Sequence, residues 1–173
     1  MDYALVSFTL WNYTPQNTNE RGDLWNDEDL SLYSTDQKDP VSDDPIYNGG
    51  RALAAAVRPY ARKTSGVPLA MHFDVDSRVF TFTYETGLNP DAPTELFVPQ
   101  YQYPEGLTVT FGNPTGVSPT GGPVQAPTYD VFLPQQTIQI YHSAETEGVQ
   151  LTVVIAPHAD SAAAAAAGNG KAA

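Results

Sequence analysis

Apolar and polar residues alternate along most of the second half of the chain. In "PLAMHFDVDSRVFTFTYE" (68–85), every second residue on either side of a "DSR" turn is large and apolar. This period of two predicts a β-hairpin with one buried face. Short strands separated by Pro/Gly turns are typical of an antiparallel β-sandwich, which we expect over residues 67–158. The same alternation recurs in five further segments, at 94–100, 107–113, 128–134, 137–143 and 149–157.

The first 66 residues follow a different pattern. Residues 4–10, "ALVSFTL", form a nearly continuous apolar run, which is typical of a parallel strand buried on both faces. Residues 49–60 repeat apolar side chains at helical spacing, with Asn48 as a candidate N-cap. A long polar loop separates the two segments. Residues 1–66 therefore read as strand, loop and helix, which together make one β/α unit.

The fold class predicted from these patterns is mainly β, a C-terminal antiparallel sandwich preceded by a β/α unit. An apolar share of 41% suits a folded protein, and 15 prolines with 13 glycines suit many short strands and turns. The last segment, "ADSAAAAAAGNGKAA" (159–173), is low in complexity. We expect it to be a disordered Ala-rich tail.

Charge and composition exclude several classes of function. A formal net charge of −12 argues against nucleic acid as a partner, because phosphate binding requires a basic face. No cysteine is present, so disulfides, thiolate zinc sites and a cysteine nucleophile are excluded. No run of about eighteen apolar residues exists, so no transmembrane segment is expected. The sequence leaves localisation open and favours a cytoplasmic or vacuolar site.

Residues 10–34, "LWNYTPQNTNERGDLWNDEDLSLYS", carry the main concentration of ligand-type side chains. Two tryptophans, two tyrosines and four asparagines fall within this loop. β/α barrels place their active sites in loops that follow a strand, and Trp11 comes directly after the apolar run. An indole offers a flat apolar face to a sugar ring and one N–H donor. A surface loop stabilised by Asx-turns, with the tryptophans packing it down, explains the same residues equally well.

The other candidate sites in the sequence have weaker support. Asn19–Glu20 resembles the Asn–Glu pair of many barrel glycosidases, but it lies in mid-loop rather than at the end of a strand. "DED" at 27–29 is better read as a solvated or helix-capping cluster than as a catalytic pair. The three histidines have no metal-type spacing, so we expect no metal site.

The opening loop, with "GGRALAAAVRPYARKTSG" and "FVPQYQYPEGLTVTF", resembles the C-terminal end of a glycoside hydrolase family 5 enzyme. The fungal branch related to endoglycosylceramidase, which cleaves glucosylceramide or steryl β-glucosides, is the most similar. These enzymes combine a (β/α)₈ barrel with a C-terminal β-sandwich. The resemblance covers residues 4–157 and implies that 4–10 is the eighth barrel strand and 49–60 the eighth helix.

The resemblance also implies roles for individual residues. Trp11 would line the sugar subsite beside the cleaved bond. The loop residues that would shape the entrance for the sugar or the lipid are Tyr13, Asn19, Asp23 and Trp25.

The catalytic machinery is expected elsewhere. The two catalytic glutamates of the family end the fourth and seventh barrel strands and would precede Met1, so no catalytic residue is expected in this chain. It would then be a C-terminal fragment of a retaining β-glucosidase, inactive alone, whose partners are the missing barrel portion and a glycolipid substrate. No cofactor is implied, and a peripheral membrane contact is compatible with this reading. The choice between ceramide and sterol would reside in the missing loops.

A free-standing β-sandwich that binds carbohydrate or protein is the alternative from another class. Such a module presents exposed aromatic side chains on one sheet face. Tyr101 and Tyr103 in "PQYQYP" are the candidates for this role. Both residues could equally pack against a neighbouring domain.

Overall fold

The structure, a computed structural model, describes residues 2–87, 92–112, 126–143 and 147–158. The chain divides into two compact units. One consists of Met1–Val6 with Val57–Ala173, and the other is Ser7–Ala56. The predicted Ala-rich tail, 159–173, lies outside the described residues.

The first unit is built from two four-stranded antiparallel sheets, as the sequence predicted. The strand order is β1-β4-β7-β6 in one sheet and β2-β3-β8-β5 in the other. The strands are β1 (Tyr60–Lys63), β2 (Gly66–Phe73), β3 (Phe80–Thr86), β4 (Thr94–Phe97), β5 (Leu107–Phe111), β6 (Thr128–Phe132), β7 (Thr137–Tyr141) and β8 (Gln150–Pro157).

The alternating pattern buries one face of each sheet in a shared core. In β3, Phe80, Phe82 and Tyr84 are fully buried, whereas the threonines between them are only half-buried. One cluster of buried side chains joins the two sheets, because it includes Ile138 and Ile140 of the first sheet with these β3 residues of the second. The core of the protein therefore lies between the sheets, where the period of two placed it.

A short N-terminal segment belongs to this first unit. The 3₁₀ helix Asp2–Ala4 carries Asp2, whose carboxylate accepts a hydrogen bond from the backbone N–H of Phe73 at 3.2 Å and pairs with Arg58. The Tyr3 ring stacks on His72, with ring centroids 4.6 Å apart. The start of the chain is thus held against β2.

The β/α unit expected at the start of the chain is absent from the described residues. Residues 5–10 form no strand; the apolar run predicted a strand at 4–10, but a strand needs a paired neighbour, and no described segment pairs with it. Four of its apolar side chains are exposed instead, namely Leu5, Val6, Phe8 and Leu10, and so is Trp11 just beyond the run.

The helix predicted over 49–60 is reduced to one turn, α1 (Leu53–Ala56). Ala52 has a left-handed φ of 53°, which prevents a helix from running through it, and Pro59 disfavours helical backbone at the residue before it. Asn48 does not cap a helix; its side chain bonds the backbone of Asp39 in both directions, at 2.9 and 3.0 Å.

Candidate functional site

The candidate loop lies within Ser7–Ala56, and backbone hydrogen bonds hold it together without regular strands. Asn12 N–H donates to the carbonyl of Leu30 at 3.3 Å, and Leu32 N–H donates to the carbonyl of Asn12 at 2.9 Å. Arg51 N–H donates to the carbonyl of Leu32 at 2.7 Å. Three stretches far apart in sequence therefore run side by side. The peptide bond between Trp11 and Asn12 is cis.

The Asp23 carboxylate is the centre of the loop. It is buried and accepts four hydrogen bonds: from the side-chain amides of Asn17 at 2.8 Å and Asn12 at 3.1 Å, and from the backbone N–H groups of Leu30 at 2.9 Å and Ser31 at 3.1 Å. Burial by itself would raise the pKa of Asp23, but these four hydrogen bonds lower it below its usual range. The carboxylate thus stays ionised and ties residue 12 to residues 30 and 31.

A second carboxylate extends this network. The Asn17 side-chain amide donates to Asp29 Oδ1 at 2.9 Å as well as to Asp23. The Arg51 guanidinium holds both oxygens of Asp29, with Nη2 to Oδ2 at 3.1 Å, and Nη1 also reaches Asn17 Oδ1 at 3.3 Å. The hydrogen bond from Arg51 lowers the pKa of Asp29, and the same bond raises the pKa of Arg51.

Three of the five predicted site residues are exposed aromatic side chains. Trp11, Tyr13 and Trp25 are 69%, 68% and 60% exposed. The Tyr13 ring contacts that of Tyr33, with centroids 5.5 Å apart at an angle of 46°. Lys38 Nζ lies 5.5 Å from the centre of the Tyr33 ring, and its hydrogen bond with Tyr33 raises the pKa of Lys38.

The other two predicted site residues serve the loop itself. Asp23 is the buried centre described above. Asn19 is exposed, but its backbone N–H donates to Asp36 Oδ2 at 2.7 Å and its side-chain oxygen accepts from the Ser34 hydroxyl at 3.0 Å. Both residues therefore fix the path of the chain, while the three aromatic residues supply the surface.

Sequence reasoning missed Tyr33, Lys38 and Arg51 as members of this site. Tyr33 lies twenty positions from Tyr13, and Arg51 lies 22 positions from Asp29. The loop has no hydrophobic period that would have predicted which of its residues meet.

Asp23 and Asp29 do not fit the role of general acid in glycoside cleavage. A general acid in a glycosidase needs a raised pKa, whereas the pKa values of Asp23 and Asp29 are both lowered. Within the described ranges, no group of three or more His, Asp or Glu side chains could hold a metal ion. The described loop is thus a hydrogen-bonded frame that carries exposed aromatic side chains.

No helix among the described residues is long and apolar enough to cross a membrane.

The model of the glycoside hydrolase family 5 C-terminal domain matches residues 58–155, which include all eight strands but the last two residues of β8. The chain belongs to this family. The matched region begins at Arg58, two residues before β1. The family domain therefore includes β1, the one described strand that the alternating pattern did not predict.

Proteins similar in sequence to this chain include fungal glucosylceramidases. The chain is 39% identical over 114 residues to a glucosylceramidase of Rhizopus delemar, covering 60% of this chain and 17% of that protein. It is 34% identical over 113 residues to a glucosylceramidase of Cryptococcus neoformans, covering 58% and 15%. The chain thus spans about a sixth of the length of these two relatives.

Solved structures of similar fold include sterylglucosidase 1 of Cryptococcus neoformans with tris. The TM-score is 0.67 at 28% identity, over 86% of this chain and 21% of that chain. Met1–Val6 and Val57–Ala173 make up only 123 of the 173 residues. A similarity over 86% of the chain must therefore extend beyond the sandwich into Ser7–Ala56.

Proposed function

We propose that this chain is the C-terminal part of a retaining β-glucosidase that hydrolyses the O-glycosidic bond of glycolipids. The substrate class is glucosylceramide or steryl glucoside, the two classes named in the relatives described above. The observation that carries the proposal is the extension of the sterylglucosidase similarity into the loop unit with its exposed aromatic side chains.

In this proposal Ser7–Ala56 contributes one wall of a substrate cleft. Trp11, Tyr13 and Trp25 offer apolar ring faces, which suit the C–H faces of a sugar or the start of a lipid chain. Asp23 and Asn19 keep that wall in place from within, through the hydrogen bonds described above. A loop that orders its frame with six or more hydrogen bonds presents its aromatic groups with little loss of entropy on binding.

The reaction itself would be carried out by residues outside this sequence. A retaining glycosidase uses two carboxyl groups roughly 5–5.5 Å apart, one as nucleophile and one as acid and then base. Because their pKa values are lowered, neither Asp23 nor Asp29 suits the role of general acid. The barrel portion would therefore supply the two catalytic carboxyl groups. We therefore expect the 173-residue chain alone to be inactive.

The first test is the size of the native polypeptide, measured by blotting a source extract with antibody raised against residues 67–158. We expect a band several times heavier than 18.7 kDa, since relatives are about six times longer than the matched part. A band near 18.7 kDa would contradict the proposal and favour a free-standing module.

The second test measures hydrolysis of detergent-dispersed glucosylceramide and steryl glucoside by the longer protein and its Trp11→Ala variant. Loss of the indole face should lower kcat/KM by about tenfold or more, equivalent to about 1.4 kcal/mol of transition-state binding. Ile46→Ala, at a residue that is 71% exposed in the same unit, is the matched control and should change nothing. Equal activity of the Trp11→Ala variant would remove Trp11 from the site.

The binding-module alternative has less support from the sandwich. Tyr103, one of its two aromatic candidates, is only 4% exposed and belongs to the core cluster. A buried tyrosine cannot present its ring to a polysaccharide. Retention of the chain on insoluble glucan would nevertheless revive this alternative.

A further inference from the structure

In the described part of the chain, the two sheets of the sandwich end at β5 and β6. These strands lie at one edge of their respective sheets, and the rings of Phe111 in β5 and Tyr129 in β6 pack together, with centroids 5.8 Å apart. Beside them lies a cleft of about 290 Å³. Its walls are mostly apolar and include Val98, Pro104, Leu107, Val131, Phe132 and Leu133.

Three of the residues that line this cleft, together with Tyr129 of β6, are exposed and apolar. Tyr129, Val131 and Phe132 are each about 40% exposed, and Leu133, which begins a 3₁₀ helix at the tip, is 70% exposed. Large apolar side chains that stand together in water usually mark a surface with a partner. We call these four residues the β6 patch.

The charge of the β6 patch limits the kind of partner. Residues 126–137 contain no lysine or arginine and a single acidic residue, Asp130. The whole chain carries a formal charge of −12, so anionic lipid headgroups or an acidic protein would be repelled. A neutral, apolar partner fits this surface.

The size of the β6 patch argues against a separate, non-covalently bound protein as its partner. A stable protein–protein interface buries roughly 800 Å² on each partner, more than four partly exposed side chains provide. Shallow insertion of a few apolar and aromatic residues is, by contrast, sufficient for reversible binding at a bilayer surface. Tyrosine is also a residue type enriched at membrane–water interfaces.

We propose that the β6 patch docks on a zwitterionic lipid bilayer, with Leu133 inserted among the acyl chains and the apolar cleft behind it against the surface. The inference rests on the proposed function, because a glycosidase acting on ceramide or sterol glycosides must meet its substrate in a membrane. The patch would bring the enzyme to that surface without using basic residues.

The test measures co-sedimentation of the 173-residue chain with large unilamellar vesicles of phosphatidylcholine. Leu133→Asp should weaken partitioning by about tenfold, since burial of a leucine side chain is lost and a charge is added. Val67→Asp, at a 56% exposed residue of β2 in the other sheet, is the matched control and should bind as the wild type does. Replacing a fifth of the lipid with phosphatidylserine should weaken binding of the wild type.

Several results would overturn the proposal. No binding of the wild type to phosphatidylcholine would do so, and so would equal binding of Leu133→Asp, which would assign lipid contact to the exposed loop aromatics. Equal losses in Leu133→Asp and Val67→Asp would also count against the patch. A concentration-dependent dimer that Leu133→Asp abolishes would assign the patch to a second copy.

The two proposals can fail separately. Hydrolysis of detergent-dispersed substrate by the longer protein does not require a bilayer, so its absence would contradict the proposed function alone. If that hydrolysis is present while vesicle binding is insensitive to Leu133→Asp, the β6 patch proposal fails and the function stands.

Discussion

Asp23 shows how one buried side chain organises a loop that lacks regular structure. An Asp23→Asn variant keeps the shape but replaces one acceptor oxygen with a donor that would face the donors of Asn12 or Asn17. We expect the backbone amides of Leu30 and Ser31 to exchange with solvent about tenfold faster or more in this variant. Hydrogen exchange read by NMR measures this effect.

The control for this change is Asp27→Asn, at an exposed residue of the same loop with a left-handed φ of 58° that asparagine adopts readily. It should leave the exchange rates unaltered. Slow exchange that persists in Asp23→Asn would show that the carboxylate is not the centre of the loop.

Acid should loosen the same loop. The pKa values of Asp23 and Asp29 are lower in the folded protein than their ordinary value near 3.8. The stability that these carboxylates contribute is therefore fully present above that value and is lost as pH falls through the folded pKa values. Tryptophan fluorescence, which reports on Trp11 and Trp25, should change in a transition below pH 4, and the transition should be smaller in Asp23→Asn.

Tyr103 differs from Asp23, because its buried polar atom makes no hydrogen bond among the described residues. Its hydroxyl has no hydrogen-bond partner in the part of the chain that the structure describes, and burial raises the pKa of Tyr103. Tyr103→Phe should therefore leave the free energy of unfolding unchanged or raise it by about 1 kcal/mol. Urea denaturation measures this; a loss above about 2 kcal/mol would mean that the hydroxyl is bonded.

The pH dependence of Tyr103 has a definite sign. Because its pKa is raised on folding, its contribution to stability is present below the ordinary tyrosine value near 10 and is lost as pH rises above it. Tyr103→Phe should resist alkaline unfolding better than the wild type. Tyr129→Phe, at a 42% exposed residue, is the control and should shift the midpoint less.

Among the secondary-structure elements, the start of β2 depends on a glycine. Gly66 has φ +140°, and a Cβ at this position would lie 1.9 Å from the carbonyl oxygen of Glu85 in the paired strand β3. Gly66→Ala should therefore lower the free energy of unfolding by more than about 2 kcal/mol. Denaturant unfolding followed by circular dichroism measures the loss.

Gly148→Ala separates the two causes. Gly148 also has a positive φ, +71°, but nothing lies within 4 Å of a Cβ there, so only the backbone strain of about 1 kcal/mol applies. Equal losses in the two variants would show that the close approach to Glu85 is relieved at no cost.

Strand alternation predicted seven of the eight strands because burial on one face of a sheet imposes a period of two. The alternation did not predict β1, because Tyr60–Lys63 is mostly exposed. This segment is a strand through its pairing with β4, which lies over thirty residues away in sequence. The strand predicted at 4–10 does not form, for the converse reason. The composition of this run suits a buried strand, but a strand also needs a neighbouring strand to pair with, and no described segment pairs with it.

The candidate site was predictable only in part. The aromatic residues could be chosen by type, since Trp11 and Trp25 are unusual on a surface loop. The internal position of Asp23 could not, because irregular backbone has no period from which burial follows. The residue types indicated which side chains of the loop could contact a ligand. Only the contacts in the folded protein showed which polar groups hold the loop together.

For the whole molecule, the excess of acidic groups sets the response to salt. There are 20 acidic and 8 basic residues, and three ion pairs occur within the described ranges. Self-repulsion should exceed attraction, so raising NaCl from about 0.01 to 0.2 M, which shortens the Debye length from roughly 30 to below 10 Å, should stabilise the fold. We expect the Tm to rise by about 2 °C in differential scanning calorimetry. A fall in Tm would mean that the ion pairs dominate.

The contact of Asp2 with Arg58 and β2 has a topological consequence. The chain leaves the sandwich unit after Val6 and rejoins it at Val57, and this ion pair closes the intervening stretch into a ring. After a single cut inside that ring, we expect Asp2 and Tyr3 to keep their contacts with Phe73 and His72. Ser7–Ala56 is therefore bounded as a cassette, which could be exchanged between relatives at its two junctions while the sandwich keeps both ends in place.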